Sequence, residues 1–171
     1  MSKSKETLTL ADLARVQAAI GAKHAPDEPY RAVDHLAQRV LGHRLFTVMR
    51  HREETAEVER VYSNNTTAYP VGGRKRKMGT AWGEKVLDRG EVFIAANPDE
   101  LRQAFPDYEL IFSLGIGSIM NVPIGYGGRI LATMNISGEA GQYRDEDVPT
   151  AKALGALLVP VLLASEPAPA G

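Results

Sequence analysis

The stretch from Ser118 to Ser137 constrains the fold of this chain more than any other. It holds two short apolar runs on either side of the glycine-rich turn Gly125-Tyr126-Gly127-Gly128. A turn of this kind between two aliphatic runs predicts an antiparallel β-hairpin. Because neighbouring side chains of a strand point to opposite faces of a sheet, residue parity divides this hairpin into two faces.

Parity gives each strand of the hairpin one apolar face and one face with amides or hydroxyls. The apolar faces carry Ser118, Met120, Val122 and Ile124, and then Ile130, Ala132, Met134 and Ile136. The opposite faces carry Ile119, Asn121 and Pro123, and then Leu131, Thr133, Asn135 and Ser137. A polar face ordinarily lies in solvent, so its role depends on whether another part of the chain covers it.

The hydrophobic periodicity of the remaining chain predicts helices at both ends and a long irregular connection before the hairpin. The predicted segments are helices 10–20 and 30–40, strands 45–51 and 57–63, helix 79–88, strand 92–95, helices 98–105 and 107–114, and a closing helix 145–164. Pro160 is expected to kink or end the closing helix. Segment 64–78 shows no clear period.

This order of elements predicts an α+β sandwich. The helices near the two ends would cover one face of an antiparallel sheet, and connection 64–114 would cover the other. The polar face of the hairpin then becomes the lining of a pocket. The chain has 171 residues, the length of one ordinary domain, and neither an internal repeat nor a dividing linker is visible.

The composition of the chain excludes several classes of function. The net charge of −1 lacks the basic field that nucleic-acid binding usually needs, so a nucleic-acid partner is not expected. The absence of cysteine excludes thiolate chemistry and thioether attachment of a chromophore. The four histidines lack ligand spacing, and we expect neither a metal nor a cofactor. No signal peptide or membrane span is predicted, so we expect a cytoplasmic protein.

Several segments together resemble GAF domains. They are Pro70-Val71-Gly72-Gly73, Gly79-Thr80 with Gly83, the run Val86–Ile94, the run Ser113–Ile124, the strand Gly128–Ile136 and the helix Asp145–Leu163. The resemblance spans roughly residues 27–163. It implies a six-stranded antiparallel sheet of GAF/PAS-like type, with N- and C-terminal helices on one face and, on the other, a ligand pocket roofed by short helices and loops.

The resemblance also implies a domain division and a role. We expect an N-terminal helix and tail at 1–26, a GAF-like domain at 27–164 and a disordered Pro/Ala tail at 165–171. GAF domains usually bind cyclic nucleotides, bilins, haem, amino acids or other metabolites, and they usually regulate an output domain. No output domain is found in this sequence, so we expect a separate output protein or a homodimer to carry the signal.

The chain departs from several subgroups of the family. It lacks the Asn-Lys-Phe-Asp/Glu signature of the members that bind cyclic nucleotides. It is similar in size to free methionine sulfoxide reductase, but the pocket carboxylates of that enzyme would fall near Ile119, Asn135 and Ser137, none of which is acidic. That chemistry therefore does not carry over to this chain.

Three polar residues of the hairpin are candidates for ligand contact. Asn121, Thr133 and Asn135 share the pocket-side face by parity, and amides and hydroxyls both donate and accept hydrogen bonds. The alternative is that they bond to loop backbone and hold the covering connection down. The residue types do not decide between these two roles.

Aromatic and acidic residues of the connection are further candidates. Tyr69 and Trp82 could form the aromatic wall of the pocket, although a single tryptophan is more often a core residue. Asp107, which follows Pro106, could face the ligand, but the position favours an N-cap. Tyr108 could point its phenol into the pocket.

Arg74 lies in the only dense charged run, Arg74–Lys77, and could hold an anionic ligand. The more ordinary interpretation of such a run is a solvated loop.

The sequence thus predicts a GAF-type sensor of a small polar or anionic metabolite. Two alternatives remain open: a small enzyme without cysteine or metal, and an interaction subunit with a vestigial pocket. The predicted homodimer seam uses apolar residues of the first and last helices, which could equally be core. They are Leu10, Leu13, Val16, Leu157 and Val161.

Overall fold

A computed structural model describes residues 5–166. Its centre is a six-stranded antiparallel sheet with the strand order β3-β2-β1-β6-β5-β4. The strands are β1 (Leu45–Arg52), β2 (Glu57–Ser63), β3 (Arg74–Arg76), β4 (Phe93–Ala95), β5 (Ser118–Tyr126) and β6 (Arg129–Gly138). The predicted α+β class and the six-stranded sheet are confirmed.

Seven short or medium helices surround the sheet. They are α1 (Leu10–Gly21), α2 (Glu28–Val40), α3 (Ala81–Gly83, continued by the π-helical turn Glu84–Asp88), α4 (Pro98–Ala104), α5 (Tyr108–Ser113), α6 (Val148–Ala156) and α7 (Val159–Ala164). Single 3₁₀ turns at Glu53–Thr55 and Asp145–Asp147 complete the regular structure of residues 5–166. Helix α1 begins as expected, because Thr9 and Asp12 form a capping box.

The predicted hairpin β5–β6 forms, and over most of its length its two faces are those that residue parity assigned. Asn121 lies opposite Asn135, and their side chains share one face of the sheet. Near the turn, however, Ile124 pairs with Ala132 and Gly125 pairs with Ile130, which leaves Leu131 as an extra residue on β6.

This bulge reverses the alternation of β6 at its first residues. Leu131 is buried with the helical layer, whereas Ile130 packs against the opposite core. The parity assignment was therefore wrong for these two residues and correct from Ala132 onward.

The helices α1, α2, α6 and α7 form a layer on one face of the sheet. The core between them and the sheet contains apolar residues of three central strands, of α2 and α6, and of the turn between α6 and α7: Phe46, Val48, Met120, Val122, Met134, Ile136, Val33, Leu36, Leu154 and Leu158. A polar group is buried in the same layer, where Tyr62 donates to Asp34 at 2.8 Å and the ring of His43 lies 2.8 Å from the same carboxylate.

The connection between β2 and β5 covers the other face, as the sequence predicted. A second apolar core there joins Met49, Val58 and Ile119 of the sheet to a set of roof residues that comprises Trp82, Val86, Leu87, Leu101, Phe105 and Ile111. Strand β3 lies inside the segment for which no regular structure was expected. Three basic residues on an edge strand carry no hydrophobic period that would have revealed it.

The closing segment Asp145–Ala164 is interrupted at Leu157 and Leu158. Pro160 stands in the first turn of α7, where a proline is tolerated, so it lies inside the second helix and α7 continues to Ala164.

This segment of 20 residues contains a window with a mean hydropathy of 1.5 and is long and apolar enough to cross a membrane by length and composition alone, whereas no membrane span was expected from the sequence. Ala151, Leu154, Leu158 and Leu162 are fully buried in the core against the sheet, whereas only 28% of the most apolar window of the segment is buried. Residues 167–171 of the expected disordered tail lie outside the described part of the chain.

Candidate functional site

A pocket lies between the polar face of the sheet and the roof of loops and short helices. Its cavity volume is about 70 Å³, which is small for a ligand site. The polar lining consists of Thr47, Arg60, Tyr69, Lys75, Lys77, Trp82, Asp107, Asn121, Asn135 and Ser137. The apolar lining consists of Leu45, Met49, Val58, Phe105, Ile111, Ile116 and Ile119.

A chain of hydrogen bonds runs across the floor of the pocket. The indole Nε1 of Trp82 donates to Oδ1 of Asn121 at 2.9 Å, and Nδ2 of Asn121 donates to Oδ1 of Asn135 at 2.7 Å. Nδ2 of Asn135 then donates to Oγ1 of Thr47 at 3.3 Å. Asn121 therefore holds part of the roof to the sheet and also faces the pocket, so both roles considered for it from the sequence are present in its geometry.

Five of the eight predicted site residues converge on this pocket: Tyr69, Trp82, Asp107, Asn121 and Asn135. Three do not line it. Thr133 is fully buried, and its Oγ1 has no hydrogen-bond partner among the described residues. The ring of Tyr108 lies 5.7 Å from that of Phe112 and 5.6 Å from the guanidinium of Arg102, outside the lining.

The third residue outside the lining is Arg74. Its guanidinium lies 3.6 Å from the carboxylate of Glu57 and 3.4 Å from that of Glu59, on the exposed edge of the sheet. Because side chains alternate along β3, Lys75 points to the pocket while Arg74 and Arg76 face solvent. The basic run thus contributes to the pocket, but through its neighbour Lys75 and through Lys77.

Arg60 is a pocket residue that the sequence analysis missed. It is 6% exposed, its Nη1 donates to the carbonyl of Pro70 at 3.0 Å, and its guanidinium lies 4.9 Å from the ring centre of Tyr69. Its Nε is buried and has no partner among residues 5–166. Burial lowers the pKa of Arg60, and the available signal was its shared parity with the core residue Val58 on β2.

Asp107 occupies the N-cap position of α5, as the sequence favoured, but its side chain makes no capping hydrogen bond and faces the pocket. Its Oδ2 accepts from Nζ of Lys75 at 2.8 Å and from the hydroxyl of Tyr69 at 3.2 Å. Its Oδ1 is buried without a partner in the described chain. Burial alone would raise the pKa of Asp107, but the hydrogen bond and charge of Lys75 hold it below its ordinary value.

Two neighbouring groups are perturbed by the same surroundings. Burial and the charge of Asp107 raise the pKa of Tyr69, so this phenol stays protonated at neutral pH. Lys77 places its ammonium 5.0 Å from the ring centre of Trp82 and 5.3 Å from that of Phe105. Burial and the charge of Lys75 lower the pKa of Lys77.

The pocket carries more positive than negative charge. Three cations, Arg60, Lys75 and Lys77, line it together with a single acid, Asp107, which leaves an excess of two positive charges. Among the ion pairs of residues 5–166, Lys75 pairs with Asp107, whereas Arg60 and Lys77 take part in none. Cations held at a partly buried site without a counter-charge favour the entry of an anion.

The described residues contain no evident set of metal ligands. Within 5–166, no group of three or more histidine, aspartate or glutamate side chains is arranged to hold a metal ion.

An antiparallel sheet with helices on one face and a roofed pocket on the other defines a class of α+β domains with a small-molecule site. The sequence model of the GAF domain matches residues 23–162, and the chain belongs to that family. GAF domains are a family of small-molecule-binding sensory and regulatory domains. A comparison with curated protein sequences finds no match.

Solved structures of GAF domains share this fold. The GAF domain of an Acinetobacter phosphoenolpyruvate-protein phosphotransferase superposes with a TM-score of 0.71 at 14% identity, covering 91% of this chain and 93% of its own. The GAF domain of a Bacillus halodurans two-component sensor histidine kinase gives 0.68 at 11% identity, covering 83% and 96%. The A. aeolicus nlh2 GAF domain gives 0.66 at 16%, covering 92% and 96%. Because these identities are low, the likeness shows the shared fold and nothing about function.

Proposed function

We propose that this GAF domain is a sensor whose pocket binds a compact organic anion. The observation that carries the proposal is Arg60, a buried guanidinium that lines the pocket, pairs with no carboxylate and leaves its Nε without a partner in the described chain. A carboxylate or phosphate oxygen would complete the hydrogen bonding of this group, and Lys77 would add a second positive charge.

The remaining lining describes the rest of the ligand. Ile111, Ile116 and Ile119 offer apolar contact, and the amides of Asn121 and Asn135 offer both donors and acceptors. A ligand with one anionic end, a short apolar body and a polar group facing the floor would match this distribution. Cyclic nucleotides and bilins are larger and are not what we propose.

The first test compares anions with uncharged molecules of the same shape. Benzoate with benzamide, and succinate with succinamide, form matched pairs for thermal-shift and calorimetric titration. We expect only the anions to raise the melting temperature, because binding to the native state stabilises it by mass action. Equal effects of the charged and neutral members would contradict an anion site.

The second test recovers the natural occupant. Protein purified under mild conditions would be denatured and the released small molecules analysed by mass spectrometry. Recovery of an intact anion supports a sensor, whereas its consumption on incubation with the protein would favour the enzyme hypothesis. A pocket that is empty and insensitive to every anion tested would contradict the sensor.

A sensor must also pass its signal on, and we propose that a homodimer or a separate output protein does so. Leu10 on α1 is 85% exposed, and Leu157 and Val161 are half-buried, which leaves apolar surface for a second copy. Val16, part of the expected seam, is buried within the chain and serves its own core. We expect a dimer by light scattering, and a monomer for Leu10→Arg.

A further inference from the structure

One carboxylate ties together two parts of the roof. Oδ2 of Asp107 accepts from Nζ of Lys75 at 2.8 Å and from the hydroxyl of Tyr69 at 3.2 Å. Lys75 lies on β3, Tyr69 in the loop before it, and Asp107 immediately before α5, 32 and 38 residues further along the chain. The contact therefore joins the loop on one side of the pocket to the helix on the other.

The same carboxylate is the only acid among the described lining residues, and it stands among the cations of the pocket. Lys75 and Asp107 are 35% and 26% exposed, so their ion pair is reachable from solvent. Oδ1 of Asp107 is buried without a partner in the described chain, so this carboxylate is only half satisfied where it lies. Leaving a buried acceptor unpaired costs free energy, which makes the contact exchangeable.

An anion that enters this pocket meets Asp107 as a competitor. Both groups carry negative charge, both are suited to the Lys75 ammonium, and like charges in one partly buried site oppose each other. Either the entering anion makes no contact with Lys75, or the carboxylate of Asp107 gives up its contact with Lys75. When the carboxylate of Asp107 moves away from Lys75, its unpaired Oδ1 can be hydrated. The ligand can then contact Lys75 in addition to Arg60 and Lys77.

We propose that Asp107 is an internal stand-in for the ligand's anionic group, which holds Lys75 in the unliganded pocket and is replaced there by the bound anion. This inference rests on the proposed anion site and adds how occupancy is sensed. Exchange releases the link between Asp107 and Lys75, so binding frees the start of α5 from β3.

The test is a double-mutant cycle on anion affinity, measured by isothermal titration calorimetry with succinate and benzoate. The variants are Asp107→Asn, Lys75→Met and the two combined, with Lys75→Gln in reserve should the Lys75→Met protein fail to fold. Asp147→Asn is the matched control, because Asp147 forms a 2.8 Å ion pair with Lys5 away from the pocket and its loss changes net charge equally.

We expect Asp107→Asn to bind at least one of the two anions roughly fivefold more tightly than the parent chain, the gain expected when a partly exposed ion pair no longer competes. Lys75→Met should weaken binding, and Asp107→Asn should give no gain in the Lys75→Met background. Asp147→Asn should bind like the parent chain.

Three results would overturn the inference. Weaker binding by Asp107→Asn would show that Asp107 contacts the ligand directly. If Asp107→Asn also raises anion affinity in the Lys75→Met background, the gain would come only from the loss of charge repulsion between Asp107 and the ligand. Both results leave the anion site intact, whereas failure of both anions to bind to the parent chain and to Asp107→Asn would remove the proposed function together with the inference.

Discussion

The indole Nε1 of Trp82 lies 2.9 Å from Oδ1 of Asn121 and donates a hydrogen bond that joins the roof of the pocket to its floor. Trp82 lies in the short α3 helix, and Asn121 lies near the middle of β5. Asn121 is in turn bonded to Asn135 on β6, so the roof is coupled to the two longest strands of the sheet. The side chain of Trp82 therefore lines the pocket and also links the roof to the sheet.

Replacing Trp82 with Phe should destabilise the chain. Phenylalanine keeps an aromatic ring but is smaller than the indole and lacks its N–H donor, so Oδ1 of Asn121 loses this hydrogen bond at a cost of about 1–3 kcal/mol. Urea unfolding followed by circular dichroism measures the change. The same substitution in an Asn121→Ala background is the control, and it should cost less because the acceptor is already gone. An equal cost in both backgrounds would mean that the hydrogen bond contributes nothing.

Arg60 and Arg74 are near neighbours with opposite expectations. Arg60→Met should reduce benzoate affinity by roughly tenfold or more, because a charged hydrogen bond in a desolvated site contributes about 1.5–3 kcal/mol. Arg74→Met removes an equal charge from the exposed edge and should change affinity by less than about twofold. Calorimetric titration of both variants decides the point. A larger loss for Arg74→Met would return the anion site to the edge of the sheet.

Stability should depend on pH through Asp107. The pKa of Asp107 is below its ordinary value of 3.8 in the folded chain, so its interaction with Lys75 stabilises the fold above that value and is lost as pH falls through the folded pKa. The melting temperature of the parent chain should therefore exceed that of Asp107→Asn by a constant margin at neutral pH. The margin should shrink below about pH 4.

The control for this pH series is Glu109→Gln, which neutralises an exposed carboxylate two residues further along the chain. It should show no comparable margin at neutral pH. A margin for Asp107→Asn that stays unchanged down to acid pH would contradict the assigned direction of the pKa shift.

Anion binding should weaken in alkaline solution through Lys77. Burial lowers the pKa of Lys77 from its ordinary value of 10.5, so its charge is lost at a lower pH than that of an exposed lysine. Benzoate affinity should begin to fall below that value, and Lys77→Arg should retain affinity to higher pH because a guanidinium stays protonated. Lys152→Arg, at an exposed position of α6, should follow the parent profile.

Gly83 should not tolerate even a methyl group. Its backbone is helical, with φ −61° and ψ −45°, so alanine is conformationally acceptable there, but a Cβ would overlap the carbonyl oxygen of Lys77. Gly83→Ala should destabilise the chain by about 1–3 kcal/mol and weaken anion binding by displacing Lys77. At Gly21 the nearest atom to a Cβ is 3.9 Å away, so Gly21→Ala is the matched control and should retain both properties.

The sequence by itself determined the architecture. The glycine turn and the alternation of its flanking runs established the β5–β6 hairpin and put Asn121 and Asn135 on one face, because the two-residue period of a strand is a local property. The capping box at Thr9 and the apolar stripe of α2 likewise depend only on neighbouring residues. The order of these elements was enough to predict a covered sheet with a pocket.

Only the tertiary structure decided which charges face that pocket. Lys75 points inward and Arg74 outward because β3 pairs with β2 in one particular register, and a three-residue edge strand carries no pattern that announces it. Asp107 is at the N-cap position of α5, but its side chain faces the pocket, because a lysine and a phenol from distant segments both donate hydrogen bonds to its carboxylate. Such contacts depend on long-range packing. The bulge at Leu131 shows that packing can also change which face of a strand a residue occupies.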